Sequence, residues 1–331
     1  MTASLPLVTI FGGSGFVGRY IAQKMARAGW RVRVAVRRPN EALFVRTYGV
    51  VGQVEPVQAN VRDETSTRAA VEGADAVVNC VGILVESGKQ SFDAVHAEAA
   101  GRIARLAAAA EVSNLVQISA LGADASSASR YARSKAAGEA AVKAAFPDAV
   151  ILRPSVIFGT EDSFFNRFAA MARAIPWVLP IVGRDTMFQP VYVGDVAGAA
   201  EHALTRAVRP GTYELGGPET ASFGDLMQRM LRIIRRRRLL VSLPFWAARI
   251  DAACLDAAQF VSGGLFTNTI LTRDQVVQLR HDNVVSGEFG TFADLGITPS
   301  GMEGILEGYL YCYRPHGQYD AITDSAKNLK V

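Results

Sequence analysis

The segment GGSGFVG, residues 12–18, constrains the fold of this chain more than any other. It follows the apolar run 5–11 and precedes a stretch with helical periodicity, so it predicts a strand-to-helix turn. In such a turn the first glycine permits a tight bend, the second lets backbone N–H groups approach a pyrophosphate, and the third lets the helix pack closely. A strand-turn-helix junction without a ligand rarely has three glycines at this spacing. The segment therefore predicts a dinucleotide site that includes Gly12, Gly13, Ser14, Gly15, Phe16, Val17 and Gly18.

Short β-branched runs alternate with alanine-rich helical stretches through the first half of the chain, and the runs are 8–11, 31–36, 76–80, 115–119 and 150–152. This order predicts an α/β fold, a Rossmann-type doubly wound parallel sheet with a smaller C-terminal lobe. Beyond Gly159 prolines break the pattern into shorter pieces. We expect a dinucleotide-binding domain over 1–160, rejoined by about 188–203 and by 212–215, and a lobe for docking or substrate over 161–331.

Composition excludes several classes of protein. Half of the 331 residues are apolar, which is enough for a sizeable core. The three cysteines, Cys80, Cys254 and Cys312, are too far apart for a disulfide framework or a metal knuckle, so we expect a reducing compartment and no metal. No run reaches the roughly 18 to 20 apolar residues of a membrane span, and no signal peptide is expected. The net charge of +4 is too small to indicate a nucleic-acid partner.

Two arginines, Arg37 and Arg38, follow the predicted second strand. Proteins that bind NAD carry an acidic residue near this position for the 2′-hydroxyl of the adenosine ribose. A guanidinium can instead form two hydrogen bonds with a 2′-phosphate. The pair therefore predicts NADPH as the cofactor, although one of the two arginines can simply be a solvated loop charge.

Tyr131 and Lys135 are spaced as YxxxK, one helical turn apart. Together with GGSGFVG and Asn60-Val61-Arg62-Asp63, this motif resembles the short-chain dehydrogenase/reductase family in its extended or atypical type, over about residues 7–203. The segment 188–197, FQPVYVGDVA, is also similar to the strand that rejoins the two parts of extended members. The resemblance implies further cofactor-binding residues along the sheet: Asn60, Val61, Cys80, Val81, Gly82, Ile118, Ser119, Pro154, Ser155 and Ile157.

The resemblance also implies catalytic roles. In active members the tyrosine donates or accepts the proton, and the lysine holds the ribose and lowers the pKa of the phenol. Such members also use a Ser or Thr hydroxyl after the fifth strand. Ser119 stands there, but Ala120, Leu121 and Gly122 follow it instead of a serine-rich signature. Two alternatives stay open: a triad with Ser119, or a Tyr131 and Lys135 that hold the ribose without turnover.

A basic and apolar segment, residues 232–266, contains Arg232, Arg235, Arg236, Arg237 and Arg238 followed by Leu239, Leu240, Val241, Leu243, Phe245 and Trp246. Arginines can meet anionic headgroups while Trp and Phe enter the interface, so the segment predicts contact with a membrane surface or a hydrophobic partner. Arg249, Asp251 and Asp256 argue against a span. A solvated helix end is the alternative, and nucleic-acid binding is disfavoured because no motif for it accompanies the arginines.

Longer strings extend the resemblance over nearly the whole chain. These are residues 129–139, 145–169, 188–197, 271–286 and 294–297, and they resemble the dehydrogenase-like accessory subunits of respiratory complex I in their alphaproteobacterial form. The resemblance implies a subunit that holds NADPH, packs against peripheral-arm subunits at the cytoplasmic face of the bacterial inner membrane, and supports assembly. A related branch is linked to ubiquinone biosynthesis. The alternatives are an independent NADPH-dependent reductase or epimerase acting on a lipid-like substrate, and an NADP(H)-sensing regulator.

Overall fold

The computed structural model describes residues 5–261, 268, 271–319 and 325, and it describes only the backbone of 258–261 and 318. Strands and helices alternate through the first half. In chain order the elements are β1 (Leu7–Phe11), α1 (Phe16–Arg27), β2 (Arg31–Val36), a 3₁₀ helix (Pro39–Tyr48), β3 (Val54–Gln58), α2 (Glu64–Val71), β4 (Ala76–Asn79), a π-helical turn (Asp93–Glu98), α3 (Ala99–Ala109), β5 (Asn114–Ile118), α4 (Arg130–Ala145) and β6 (Val150–Pro154).

The second half has shorter elements and more connecting chain. In order they are β7 (Ile157–Phe158), α5 (Phe165–Ala174), β8 (Val178–Val182), β9 (Met187–Phe188), β10 (Val191–Tyr192), α6 (Val193–Thr205), β11 (Gly211–Leu215), β12 (Ala221–Ser222), α7 (Phe223–Ile233), β13 (Leu239–Leu243), α8 (Phe245–Val261), α9 (Arg273–Gln278), α10 (Met302–Leu310) and two 3₁₀ turns, Tyr311–Tyr313 and Gly317–Tyr319.

Seven parallel strands form the central sheet in the order β11-β6-β5-β4-β1-β2-β3. The predicted fold class is therefore confirmed, and the five predicted strands correspond to β1, β2, β4, β5 and β6. The strand order reverses between β1 and β4. In doubly wound sheets this reversal opens a crevice at the carboxyl edge of the sheet, where ligands bind.

Helices cover both faces of the sheet. On one face α1 and α6 pack against each other and against Val8, Ile10 and Val34. On the other face α2, α3 and α4 cover Phe11 and Val77. The chain returns to the sheet through α6 and β11 after leaving it at β6. The segment 188–197, expected to contain the rejoining strand, instead forms parts of the short strands β9 and β10 outside the central sheet and the first turn of α6. The boundaries expected for the two domains stay a prediction.

The C-terminal lobe has its own core, built around aromatic rings. Ring centroids lie 4.9 to 6.3 Å apart among Phe158, Phe164, Phe165, Phe168, Phe188 and Phe223. Asp162 lies buried beside them, where its carboxylate accepts hydrogen bonds from the backbone N–H groups of Gly159, Phe164 and Asn166 and from the hydroxyl of Tyr309. A buried carboxylate with four donors holds the entry to α5 in one conformation.

Residues 271–300, here called the return segment, join the lobe to the sheet. Asp274 contacts the start of α4, and Asn283 contacts the residues that follow β6. Ser286 donates to Glu214 of β11, and Ser300 donates to Asp195 of α6. Each contact is a hydrogen bond between residues at least 72 positions apart in the chain.

Candidate functional site

The glycine segment forms the turn between β1 and α1. Gly12 has φ of 73°, a conformation that favours glycine, and its N–H donates to the Ala35 carbonyl of β2 at 3.0 Å. A Cβ on Gly18 would overlap the carbonyl oxygen of Gly12, so the helix can start this close to the turn only with glycine there. No side chain caps α1 at Gly15. The first N–H groups of the helix are therefore available to an anion.

The loop after β4 lies beside this turn. An added Cβ on Gly12 would lie 3.3 Å from the backbone of Cys80 and Val81, which places the two loops in contact. Buried Asn79 fixes the loop, because its side-chain oxygen accepts from the Val81 N–H at 3.0 Å and its amide donates to Gln117 at 2.9 Å. The predicted residues Cys80, Val81 and Gly82 therefore lie next to the glycine turn at the carboxyl edge of the sheet.

Arg37 and Arg38 stand exposed after β2, at the carboxyl edge of the sheet. Their partners differ. Arg37 donates to the neutral side-chain oxygen of Gln90 at 2.9 Å, whereas Arg38 forms a 3.0 Å salt bridge with Glu41. A carboxylate partner compensates the charge of Arg38, so Arg37 is the better placed of the two to bind a further anion.

Asn60 and Val61 follow β3 at the same edge of the sheet. The side-chain oxygen of Asn60 accepts from the Arg62 N–H at 3.2 Å, and its carbonyl accepts from the Thr67 hydroxyl, also at 3.2 Å. The carbonyl of Val61 accepts from Arg102 at 2.6 Å. These bonds hold the loop after β3 in a fixed conformation beside the loops after β1 and β2.

Tyr131 and Lys135 lie in the first turns of α4. The Lys135 ammonium donates to the Ile118 carbonyl at 3.5 Å and lies 5.8 Å from the centre of the Tyr131 ring. Burial lowers the pKa of Lys135 to about 8, against the opposing effect of Glu139. Burial, with the Asp274 carboxylate, raises the pKa of Tyr131 to about 12. Within the described part of the chain, the phenol has no hydrogen-bond partner and is free to meet a ligand.

Asp274 of the return segment holds the start of α4. Its carboxylate accepts from the backbone N–H groups of Arg130 at 2.7 Å and Tyr131 at 3.2 Å and from the hydroxyl of Ser129 at 2.7 Å. Carboxylates stabilise helix N-termini in this way. Asp274 could not be recognised from the sequence as a residue of this site, because no local signal links it to a helix 143 residues earlier.

Ser119 lies at the end of β5, but its hydroxyl turns into a buried ionic network. It donates to Glu139 at 2.5 Å. Glu139 accepts two bonds from Arg153, at 2.9 and 2.7 Å, and Arg153 lies 3.7 Å from Glu214. This geometry gives Ser119 a structural partner, and its predicted role as a substrate-orienting hydroxyl finds no support in these contacts.

Pro154, Ser155 and Ile157 follow β6 at the carboxyl edge. The hydroxyl of Ser155 donates to the side-chain oxygen of Asn283 at 2.7 Å, and the same oxygen accepts from the Val156 N–H. Ile157 pairs with Val191 in a short parallel ladder. The return segment therefore fixes the border that the resemblance assigns to the nicotinamide, and sequence reasoning missed Asn283 as its anchor.

The basic and apolar segment is partly bonded to the lobe and partly exposed to solvent. Arg236 donates to the Tyr313 carbonyl at 2.8 Å, and Arg238 donates to the carbonyls of Ala172 and Ile175 at 2.9 Å each, so these two arginines bind the lobe itself. Beyond them the side chains of Leu239, Trp246 and Ile250 are 68%, 68% and 56% exposed. Residues 262–266 of the segment lie outside the described residues. None of the helices in the described ranges is long and apolar enough to cross a membrane.

The crevice has the parts that a dinucleotide needs. An uncapped helix N-terminus and a glycine turn suit a pyrophosphate, Arg37 suits a terminal phosphate, and Lys135 with Tyr131 suits a ribose. The residues predicted from GGSGFVG, from the loop after β4 and from YxxxK all lie along this edge of the sheet. Their role in cofactor binding stays a prediction.

Comparisons with known proteins agree with this geometry. The model of the NAD dependent epimerase/dehydratase family matches residues 8–216. The chain is 36% identical over 97% of its length to the mitochondrial NADH dehydrogenase [ubiquinone] 1 alpha subcomplex subunit 9 of Arabidopsis thaliana, of which it covers 81%. It is 31% identical over 94% of its length to the mitochondrial NADH-ubiquinone oxidoreductase 40 kDa subunit of Neurospora crassa, of which it covers 80%.

A relative with a different name is a ceramide reductase of Caulobacter vibrioides, 30% identical over 76% of this chain and 78% of that protein. Among solved structures, an Escherichia coli NADPH-dependent quinone oxidoreductase in complex with NADPH superposes with a TM-score of 0.68 at 17% identity, covering 91% of this chain and 99% of that one. A Bacillus anthracis dTDP-glucose 4,6-dehydratase in complex with NAD superposes with a TM-score of 0.67 at 12% identity, covering 98% and 100%. At these identities the structures show a shared fold.

Proposed function

The chain belongs to the NAD dependent epimerase/dehydratase family, and within it we propose an NADPH-binding accessory subunit of respiratory complex I that supports assembly without turning over a substrate. The observation that carries the proposal is the identity of 36% and 31% to complex I subunits of a plant and a fungus, over at least 94% of the chain. The related branch linked to ubiquinone biosynthesis has no such support among these relatives.

The arrangement around Tyr131 supports a role without turnover. Reductases of this kind pair the tyrosine with a hydroxyl that orients the substrate carbonyl, but Ser119 donates to Glu139, and Leu121 further along the same loop is buried and apolar. A phenol whose pKa is raised to about 12 is a weak acid and a rarely ionised base at neutral pH. Tyr131 and Lys135 can still hold a ribose by hydrogen bonds.

NADPH is the nucleotide that fits these residues. When bound it supplies a hydride to reductases, and in the proposed subunit it acts as a structural ligand. The N-terminus of α1 would hold the pyrophosphate, Arg37 the 2′-phosphate, and Lys135 the nicotinamide ribose. Arg38 should contribute less to binding of the 2′-phosphate, because it already pairs with Glu41.

We further propose that exposed Leu239, Trp246 and Ile250, beside exposed Arg237, face the membrane surface or an apolar subunit of the complex at the cytoplasmic face of the bacterial inner membrane. Exposed large apolar side chains on one segment are typical of interaction sites. Because Arg236 and Arg238 bind carbonyls of the lobe, Arg237 is the better candidate for an anionic partner.

Affinity purification of the tagged chain from the cells that encode it tests the assembly. We expect flavin, iron-sulfur clusters and NADH:quinone reductase activity to co-purify with it. If the chain purifies alone while the same membranes contain complex I that lacks it and is fully active, the proposal is wrong.

Replacing Gly15 with Val tests the structural role of the nucleotide. The backbone at Gly15 has φ of −72° and ψ of 179°, which Val adopts readily, and an added Cβ would meet only the Gly12 carbonyl, at 3.1 Å. The Gly12 carbonyl must shift by a few tenths of an ångström to accept Val, whose methyl groups exclude the pyrophosphate. NADPH at about 100 times its Kd stabilises a folded protein by roughly 2.7 kcal/mol. We expect the variant to lose this stabilisation, which a lower Tm in the presence of NADPH would show, and to assemble poorly into the complex.

The matched control for Gly15→Val is the nucleotide-free protein, in which wild type and variant should melt at similar temperatures. Wild-type yield of assembled complex from a Gly15→Val protein that binds no NADPH would contradict the structural role.

A second function deserves a test because the Caulobacter relative is named a ceramide reductase. In that case the chain would reduce a lipid-like ketone with NADPH, and Tyr131 would donate the proton. Tyr131→Phe should then lower the rate of NADPH oxidation by roughly 10² to 10⁴. If the chain is an assembly subunit, the same variant should retain NADPH and support wild-type quinone reductase activity, and wild type should oxidise no NADPH with long-chain keto-lipids.

A further inference from the structure

His96 is a buried histidine beside the nucleotide crevice that neither the motifs nor the proposed function account for. It lies in the π-helical turn before α3 and is 3% exposed. Its ring stacks on Phe92 with centroids 5.4 Å apart and meets the Tyr131 ring edge-on at 5.3 Å. π-helical turns are rare and often occur at functional sites.

Both ring nitrogens of His96 form hydrogen bonds that join two different elements. Nε2 accepts from the backbone N–H of Ile83 at 3.0 Å, in the loop after β4. Nδ1 lies 2.8 Å from the Ser134 hydroxyl of α4, and that hydroxyl donates to the Tyr131 carbonyl at 2.8 Å. The imidazole therefore bridges the loop that follows β4 and the helix that carries Tyr131 and Lys135.

The hydrogen bonds assign one protonation state to the ring. A backbone N–H can only donate, so Nε2 must carry a lone pair. The Ser134 proton points to Tyr131, so the Ser134 oxygen accepts from Nδ1–H. The imidazole is thus neutral with its proton on Nδ1, and burial with the charge of Lys135 lowers the pKa of His96 to about 3, which keeps the ring neutral.

The bridge is held at a short distance from Lys135. A Cβ on Gly138 of α4 would overlap the His96 carbonyl, so the backbones of α4 and the π-helical turn are in direct contact. A Cβ on Gly82 would lie 3.4 Å from the Lys135 ammonium and 3.6 Å from His96 Nε2. The loop, the imidazole and the lysine therefore share one small space at the closed end of the crevice.

We propose that His96 is a positioning residue of the nucleotide site, which fixes the loop from Cys80 to Ile83 at the distance from Lys135 and Tyr131 that the nicotinamide ribose requires. The inference rests on the proposed binding of NADPH. It gives His96 a role at one end of the nucleotide only, because its contacts lie beside Lys135, whereas Arg37 lies after β2, on the other side of the glycine turn.

Binding of two ligands separates this role from general stability. NADPH contains the nicotinamide ribose, whereas adenosine 2′,5′-bisphosphate ends at the adenosine 5′-phosphate and lacks that ribose. In His96→Phe, which keeps an aromatic ring but loses both hydrogen bonds, we expect calorimetric titration to show NADPH about tenfold weaker. The Kd of adenosine 2′,5′-bisphosphate should stay within about twofold of wild type.

Two further variants serve as controls. Phe92→Leu removes the ring stack but no hydrogen bond, so it should leave both Kd values near those of wild type. His96→Gln should recover most of the NADPH affinity, because the terminal amide of Gln reaches as far as Nε2 and its oxygen can accept from Ile83. If His96→Phe weakens both ligands equally or neither, or if His96→Gln gives no recovery, the inference is wrong.

Hydrogen exchange tests the bridge without any nucleotide. The Ile83 amide should exchange faster in His96→Phe than in wild type. Its exchange rate should be the same in Phe92→Leu as in wild type. Unchanged exchange in His96→Phe would overturn the inference. If wild type binds neither ligand, the proposed function is wrong. The exchange of the Ile83 amide then decides alone whether His96 fixes the loop after β4.

Discussion

The sheet and the C-terminal lobe hold their parts together by different kinds of contact. In the sheet, successive strands pair in parallel, and small apolar side chains such as Val77, Val78 and Val116 fill the space beneath the helices. In the lobe, the return segment is fixed by single polar side chains, Asp274 and Asn283, that reach distant backbone groups. The sheet follows from a repeated local pattern, whereas the attachment of the return segment depends on individual polar residues.

The largest effect should come from the buried ionic network of Arg153, Glu139 and Glu214, which contacts the return segment through the hydrogen bond from Ser286 to Glu214. Arg153→Met removes the guanidinium that pairs with both Glu139 and Glu214, whose side chains are only 5% and 6% exposed. Removing one partner of a buried ion pair destabilises by about 3 to 5 kcal/mol. Urea unfolding should show this loss in one transition that includes both regions.

Arg105→Ala is the control for Arg153→Met. Arg105 pairs with Glu64 at 2.9 Å, but both side chains are about half exposed, so its loss should change the free energy of unfolding far less than Arg153→Met does. If the two variants lower the free energy of unfolding equally, or if the lobe unfolds in a separate transition, the buried network does not stabilise both regions together.

A smaller loss of stability should come from His96 at acidic pH. The pKa of His96 is lowered to about 3 in the folded chain, against 6.5 unfolded, so between these values the unfolded chain binds one more proton. Stability from this group is therefore complete above pH 6.5 and is lost as the pH falls, by about 3 kcal/mol at pH 4.5. The difference in unfolding free energy between wild type and His96→Gln should shrink accordingly. A difference that is constant from pH 7 to pH 4.5 would exclude a neutral buried imidazole.

The sequence predicted the sheet well and the joining contacts poorly. Strands β1, β2, β4, β5 and β6 were recognisable because each is a β-branched run with helical periodicity on either side. The glycine turn was recognisable because its residues are contiguous. The sequence could not show that Ser119 turns to Glu139, nor that Asp274 holds Tyr131, since these depend on which elements meet in three dimensions.

The smallest effect concerns the two arginines after β2, and it lies in the sheet region alone. Arg37→Ala should weaken NADPH binding by roughly tenfold, because it removes a charge-assisted contact to the 2′-phosphate from an exposed arginine. Arg38→Ala should have less effect, because Glu41 already pairs with Arg38. Fluorescence titration with NADPH and NADH measures both. An unchanged preference for NADPH in the double variant would rule out this assignment.

The contact between Asp274 and the start of α4 also sets an order of events during synthesis. Translation proceeds from the amino terminus, so the strands and helices of the sheet leave the ribosome while the residues that hold the beginning of α4 are still to be added. A nascent chain that ends before residue 274 has the glycine turn and Lys135 but lacks the carboxylate beneath Tyr131. The ribose end of the crevice therefore cannot reach its final shape until residue 274 has left the ribosome.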